Sequence, residues 1–211
     1  MPEASPAAAP GRSQRAEDVL APRPARHFQL ALDEAPSLAE GDALPPLWHY
    51  LYFNPQIRSR DLAADGHERL GGFLPDLGLP RRMWAGSRID LHAPLRIGER
   101  AVKTSTVENV HEKTGRSGRL GFVTVRHDFA VEGELRMTDL QTIVYRAPGG
   151  AADPPRAVPE PADWQETVTP DEILLFRYSA LIFYAHRIHY DADYARSAEA
   201  YPARLVHGPL T

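Results

Sequence analysis

Three stretches in the middle of this 211-residue chain alternate polar and apolar side chains and are rich in β-branched residues: 101–110 (AVKTSTVENV), 120–129 (LGFVTVRHDF) and 135–145 (LRMTDLQTIVY). A side-chain period of two is that of a strand with one buried and one wet face. Between the first two lies Lys-Thr-Gly-Arg-Ser-Gly at 113–118, which is turn chemistry. A shorter alternation at 88–92 adds another strand, so roughly four antiparallel strands are expected. Helical patterns on either side make the fold class α+β.

Ahead of the strands, residues 24–33 place Phe28, Ala31 and Leu32 on one helical face, with Pro24 suited to the first turn. Residues 44–53 (LPPLWHYLYF) are the most apolar segment of the first half. Pro45 and Pro46 can open a helix, after which Leu47, Tyr50 and Leu51 fall at helical spacing. That spacing predicts a buried helix, with an aromatic wall for an acyl chain as the functional alternative. Residues 54–72 are polar and irregular, which predicts a loop. The twin Arg81-Arg82 reads as a solvated face or as an anion contact.

The Pro, Ala and Ser content of residues 1–18 predicts a disordered tail. The first domain then covers 19–147, a Pro/Ala/Gly linker 148–162, and a second segment 163–211. In that segment 164–168 is a short strand candidate. Thr169-Pro170-Asp171-Glu172 reads as a capping box opening a helix that runs to about Phe183. This second segment is too small for a core of its own. It is therefore expected to be truncated or completed by another polypeptide.

Composition removes several chemistries. The absence of cysteine excludes disulfides, thiolate catalysis and zinc–thiolate sites. A net charge of −4 gives no bulk attraction to nucleic acid. No apolar run approaches the roughly 20 residues of a membrane span. The N-terminus lacks an export pattern. The expectation is a cytoplasmic enzyme or binding protein that engages neither nucleic acid nor membrane.

Polar chemistry gathers at the end of the apolar 173–183 helix: Tyr184-Ala185-His186-Arg187-Ile188-His189-Tyr190-Asp191, followed by His207-Gly208-Pro209-Leu210. Imidazole, with a pKa near 6.5, both accepts and gives protons near neutrality. An isolated histidine is more often structural, however. His186 and His189 have a metal-ligand spacing, but two ligands make no site, so no metal is expected. Arg187 is either an anion contact or a surface charge. Asp191 suits the cap of a short following helix. If His207-Gly208 opens a helix, the Gly208 N–H is placed to stabilise an oxyanion.

The ordered set Phe-Arg-Tyr-Ser-Ala-Leu, Ala-His-Arg-Ile-His-Tyr-Asp and His-Gly-Pro-Leu resembles the MaoC-like hydratases and dehydratases of hot-dog fold. Within that group it is similar to the type-2 hydroxyacyl-thioester dehydratases and their mesaconyl-C4-CoA hydratase branch. The likeness runs from about Leu47 to Leu210 and includes Arg-Arg-Met-Trp-Ala-Gly at 81–86. It implies a double hot-dog, a helix wrapped by a curved antiparallel sheet, with the second unit incomplete. It also implies a hydro-lyase acting on acyl-CoA thioesters with no organic cofactor or metal, and self-association.

The resemblance places the acid/base histidine at His189 and the thioester-oxygen contact at Gly208, and substrate contacts at His186, Arg187, His207 and Trp84. One position departs from the pattern. Tyr184 stands where these enzymes carry Asp or Asn, five residues before the histidine. A phenol donates and accepts hydrogen bonds but is longer and a poor base at neutral pH. A fatty-acid-type 3-hydroxyacyl-thioester dehydratase and a non-catalytic acyl-CoA-binding protein are the alternatives.

Overall fold

The computed structural model describes residues 10–115, 118–147, 163 and 168–210. Among these, five strands form one antiparallel sheet: β1 Ser13–Val19, β2 Arg81–Leu91, β3 Arg100–Gly115, β4 Gly118–Val131 and β5 Glu134–Arg146. Their order is β1-β3-β4-β5-β2. The alternation fixes the inner face. Along β4 it is Val123, Val125, Phe129 and Val131 that are buried, every one an odd-numbered position. β4 and β5 are joined tightly, Val131 pairing with Glu134. Glu132 and Gly133 between them both have positive φ, the backbone of the hairpin turn that matches strand twist.

Helix α1, Pro22–Ala31, lies on that inner face. It starts two residues earlier than the sequence pattern predicts, with Pro22 and Pro24 both in its first turn. Ala25 and Phe28 join Ala101, Phe129, Val131 and Met137 of the sheet in one core. The buried Gln29 is satisfied locally: its amide oxygen accepts from the backbone N–H groups of Ser37 and Leu38 and its nitrogen donates to Ser37 Oγ. A second cluster at the far end of the face joins Leu77 and Leu79 to Val107, Val123, Val125 and Tyr145.

Three expectations give way here. Residues 13–18 are not tail but edge strand, paired with β3 from Ser13↔Thr106 to Val19↔Arg100. An edge strand is held by backbone hydrogen bonds and needs little apolar content, so composition hides it. Residues 44–53 form no full helix, only a 3-10 turn at Trp48–Leu51. Pro45, Pro46 and a left-handed Leu47 (φ 70°) leave room for one turn. The burial expected of the segment still holds for Leu44, Leu51, Tyr52 and Phe53, whereas Leu47 is exposed. The strand expected at 88–92 begins at Arg81, with a bulge between Trp84 and Gly86.

Helix α2, Glu172–Leu181, packs beside α1, with the Phe28 and Tyr178 rings 5.4 Å apart. Its cap is Asp171, whose carboxylate accepts from Leu174 N at 2.8 Å, rather than Thr169. Helix α3, Ala192–Ser197, is capped by Asp191 as its sequence predicts. In His207-Gly208-Pro209-Leu210 the described residues form a 3-10 turn, Gly208–Leu210. The linker at 148–162 and residues 164–167 of the 164–168 strand candidate lie outside the described residues, and Val168 is in no strand.

Candidate active site

The chain leaving α2 docks onto a turn in the 54–72 loop. That turn, Asp65-Gly66-His67, is closed by Gly66 N to Ala63 O (3.0 Å) and Ala63 N to His67 O (2.7 Å). Arg187 N donates to Asp65 O at 2.9 Å. Gly66 has φ +91°, and a Cβ there would sit 1.8 Å from the Ala185 carbonyl oxygen, so only glycine permits the contact. Further along, Arg81 holds Glu199 at 2.7 Å and donates to Ala198 O at 2.6 Å. Tyr201 reaches Met83 Sδ at 2.9 Å. The 184–210 segment is thereby fixed between the loop and β2.

This docking gathers four imidazoles and a phenol. The His67 and His186 rings are 3.8 Å apart, His186 and His189 5.4 Å, and His189 and His207 are stacked at 3.7 Å. The Tyr184 ring centre is 6.0 Å from that of His189. Burial pushes His189 down to about 4 and His207 to about 3, and likewise lowers His186 and His67. Desolvation disfavours the imidazolium, so the cluster is neutral near pH 7.

Hydrogen bonds then assign the protons. His189 Nδ1 lies 2.8 Å from Leu205 O. A carbonyl only accepts, so Nδ1 carries the hydrogen and Nε2 is the bare nitrogen of the neutral ring. Leu205 is itself fixed by its N–H to Ile188 O at 3.0 Å. His207 Nε2 meets Ser179 Oγ at 2.8 Å. His67 contacts Asp65 through Nδ1 (2.9 Å) and the Tyr184 hydroxyl through Nε2 (2.6 Å). Burial opposes ionisation of Asp65, but the His67 hydrogen bond outweighs it and holds the carboxyl well below its usual range.

The residues named from the sequence are therefore brought together, with three qualifications. The Arg187 guanidinium is occupied: it donates to Asp191 at 2.7 and 3.1 Å and to Ala64 O at 3.3 Å, and lies over the Tyr194 ring. Arg81 and Arg82 divide: Arg81 is buried against Glu199, whereas Arg82 is half-buried and donates to Glu68 O. Gly208 is required by close approach: a Cβ there would lie 2.0 Å from Trp84 Cε3. Trp84 Nε1 donates to Ser87 Oγ (3.2 Å), which neighbours the Tyr50 hydroxyl (3.4 Å). That hydroxyl donates to the buried Asp139 (2.8 Å), so a polar chain runs from the Trp84 indole N–H into the sheet interior.

Asp65 and His67 escaped the sequence reading. Their only local signal is Asp-Gly followed by histidine in a polar loop, and their partners lie more than a hundred residues away. Asp65, His67 and His186 also offer ligand atoms within 4.8 Å of one another. Both nitrogens of His67 are engaged, however, so ligation there requires breaking an existing hydrogen bond.

Among the described residues no helix is long and apolar enough to cross a membrane. The family model for hydroxyacyl-thioester dehydratase type 2 matches residues 47–211. The chain is 44% identical over 204 residues to the mesaconyl-C(4)-CoA hydratase of Chloroflexus aurantiacus, covering 95% of this chain and 73% of that protein. It is 29% identical over 195 residues to the mitochondrial hydroxyacyl-thioester dehydratase type 2 of Schizosaccharomyces pombe, covering 80% and 64%. Among solved structures, HtdX of Mycobacterium tuberculosis superposes with a TM-score of 0.61 at 18% identity, over 94% of this chain and 72% of that one. A MaoC-like dehydratase from Phytophthora capsici gives 0.61 at 16%, over 95% and 70%. The five-stranded antiparallel sheet carrying α1 is the hot-dog architecture these neighbours share, here as an open sheet. The chain belongs to the type-2 hydroxyacyl-thioester dehydratase family.

Proposed function

We propose that this protein is a hydro-lyase that adds water across the C=C bond of an enoyl-CoA, with mesaconyl-C4-CoA as the favoured substrate. The observation that carries this reading is His189, buried, neutral and held by Leu205 O so that Nε2 is an unprotonated base. It sits within a chain 44% identical to a relative named mesaconyl-C(4)-CoA hydratase. His189 Nε2 takes a proton from water as the oxygen attacks the β-carbon, and the same proton is returned to the α-carbon. Nothing is oxidised or reduced, so the step calls for no redox cofactor.

Charge developing on the thioester oxygen is assigned to the Gly208 backbone N–H, with the Trp84 ring as the adjoining wall. His186 and His207 flank His189 and border the acyl group. Arg187 serves by fixing the Asp65 turn and the α3 cap rather than by binding an anion directly. Residues 168–210 are the start of a second hot-dog unit docked on the first, whose own boundary moves back to β1. CoA esters are highly charged and do not cross membranes, which favours action in the cytoplasm. The open β1 and β2 edges favour self-association.

The family model's own description favours a second reading, dehydration of a 3-hydroxyacyl thioester in fatty-acid synthesis. The test is mass spectrometry of products from mesaconyl-C4-CoA and crotonyl-CoA, each offered separately. Gain of one water, faster on the mesaconyl ester, is expected. Faster hydration of crotonyl-CoA favours the second reading, and no hydration of either rejects both.

A further inference from the structure

The phenol of Tyr184 has its polarity dictated by the two residues behind it. Asp65 is ionised and can only accept. Its partner, His67 Nδ1 at 2.9 Å, therefore carries the ring hydrogen. His67 is neutral, burial outweighing the pull of Asp65, so its Nε2 is bare. The Tyr184 hydroxyl, 2.6 Å from Nε2, must then be the donor in that hydrogen bond. With its single proton committed to His67, the phenolic oxygen offers only lone pairs to anything else. His189 Nε2 likewise offers only a lone pair.

We propose that Tyr184 is the second acceptor for the attacking water, and that His67 and Asp65 are positioning residues that make it acceptor-only. This rests on the hydratase reading above. A water whose two hydrogens are taken by Tyr184 Oη and His189 Nε2 turns its lone pairs toward the β-carbon of the enoyl thioester. The Tyr184 and His189 rings are neighbours, their centres 6.0 Å apart, so both polar edges border the same space. The proton lost on attack goes to His189 and none passes through Tyr184, so the phenol needs no basicity. Its reluctance to ionise, raised further by burial, is then no obstacle. A phenol whose direction is fixed replaces a shorter side chain without taking over proton transfer.

The turn that carries Asp65 and His67 is built for this contact. Gly66 lets it close against Ala185, and Arg187 N on Asp65 O sets its height against the 184–189 segment. The Tyr184–His67 hydrogen bond thus links residues 117 positions apart.

The experiment compares hydration kinetics of the parent, Tyr184→Phe, the isosteric Asp65→Asn and the double variant, together with ¹⁵N NMR of the His67 ring in the parent. Asparagine at 65 can donate to Nδ1, which moves the ring hydrogen to Nε2 and turns the phenol into a donor toward water. Each single variant is expected to lose about 100-fold in kcat with KM within about twofold, the cost of a misplaced reactant. The double variant is expected to lose no more than Tyr184→Phe alone, and parent His67 to be protonated at Nδ1. An active parent whose single losses multiply in the double, a Tyr184→Phe variant with parental kcat, or His67 protonated at Nε2 overturns this inference alone. A parent that hydrates no enoyl thioester overturns the hydratase reading and this inference together.

Discussion

Replacing Gly66 with alanine tests the docking of the two halves of the site. The substitution adds one methyl group at a position where φ is +91° and the Ala185 carbonyl oxygen lies 1.8 Å from the new Cβ. The left-handed backbone alone costs an L-residue about 1–2 kcal/mol. The clash adds about 1–3 kcal/mol as overpacking, because the obstacle is backbone and cannot swing aside. A total of about 3 kcal/mol corresponds to a Tm lower by about 6–12 °C in a protein of this size. The Asp65-Gly66-His67 turn also has to withdraw from 185–187, breaking the Arg187 N to Asp65 O bond and separating His67 from Tyr184. Thermal unfolding followed by circular dichroism, with hydration activity measured below the transition, reads both effects. A variant with parental Tm and parental activity refutes the docking argument.

Other substitutions and conditions have equally definite outcomes. Arg81→Met leaves Glu199 as a largely buried, unpaired carboxylate and should destabilise by about 3–5 kcal/mol in urea unfolding, most of it recovered in Arg81→Met/Glu199→Gln. Acid should weaken the fold through the imidazole cluster. His189 and His207 have folded pKa values of about 4 and about 3, below the ordinary 6.5, so the unfolded chain binds protons that the folded chain does not. Their stabilisation is complete above about pH 6.5 and is lost as pH falls toward those values, about 2 kcal/mol for each ring by about pH 4.5. Stability measured across that window should fall, and fall less in His207→Asn. Gly208→Ala drives a Cβ into the Trp84 ring and should reduce turnover, with partial recovery when Trp84 is also shortened to alanine.

The parts of the fold legible in the sequence are those written in local periodicity. β3, β4 and β5 repeat every two residues because one face is buried, and α1 repeats along one stripe. β1 carries no such pattern, since SQRAEDV is held at the sheet edge mainly by main-chain hydrogen bonds to β3. In 44–53 the apolar content correctly marked burial, while Pro45, Pro46 and the left-handed Leu47 decided the backbone. The site divides in the same way. His186, His189, His207 and Gly208 are legible because they stand in an ordered motif, and the structure gathers their three imidazoles. Asp65 and His67 sit in a loop whose function exists only when Tyr184 and His186 fold onto it. Arg187 and Arg81 were recognised as charges, but their partners, Asp191 and Glu199, are identified only by tertiary geometry.

The most direct test of the account is loss of the conjugated-thioester absorbance of mesaconyl-C4-CoA on addition of the parent protein or of His189→Ala at equal concentration. The account predicts turnover by the parent and a drop of at least about 100-fold in the variant, with CoA-ester binding retained. Equal rates in the two proteins, or none in a folded parent, contradict it.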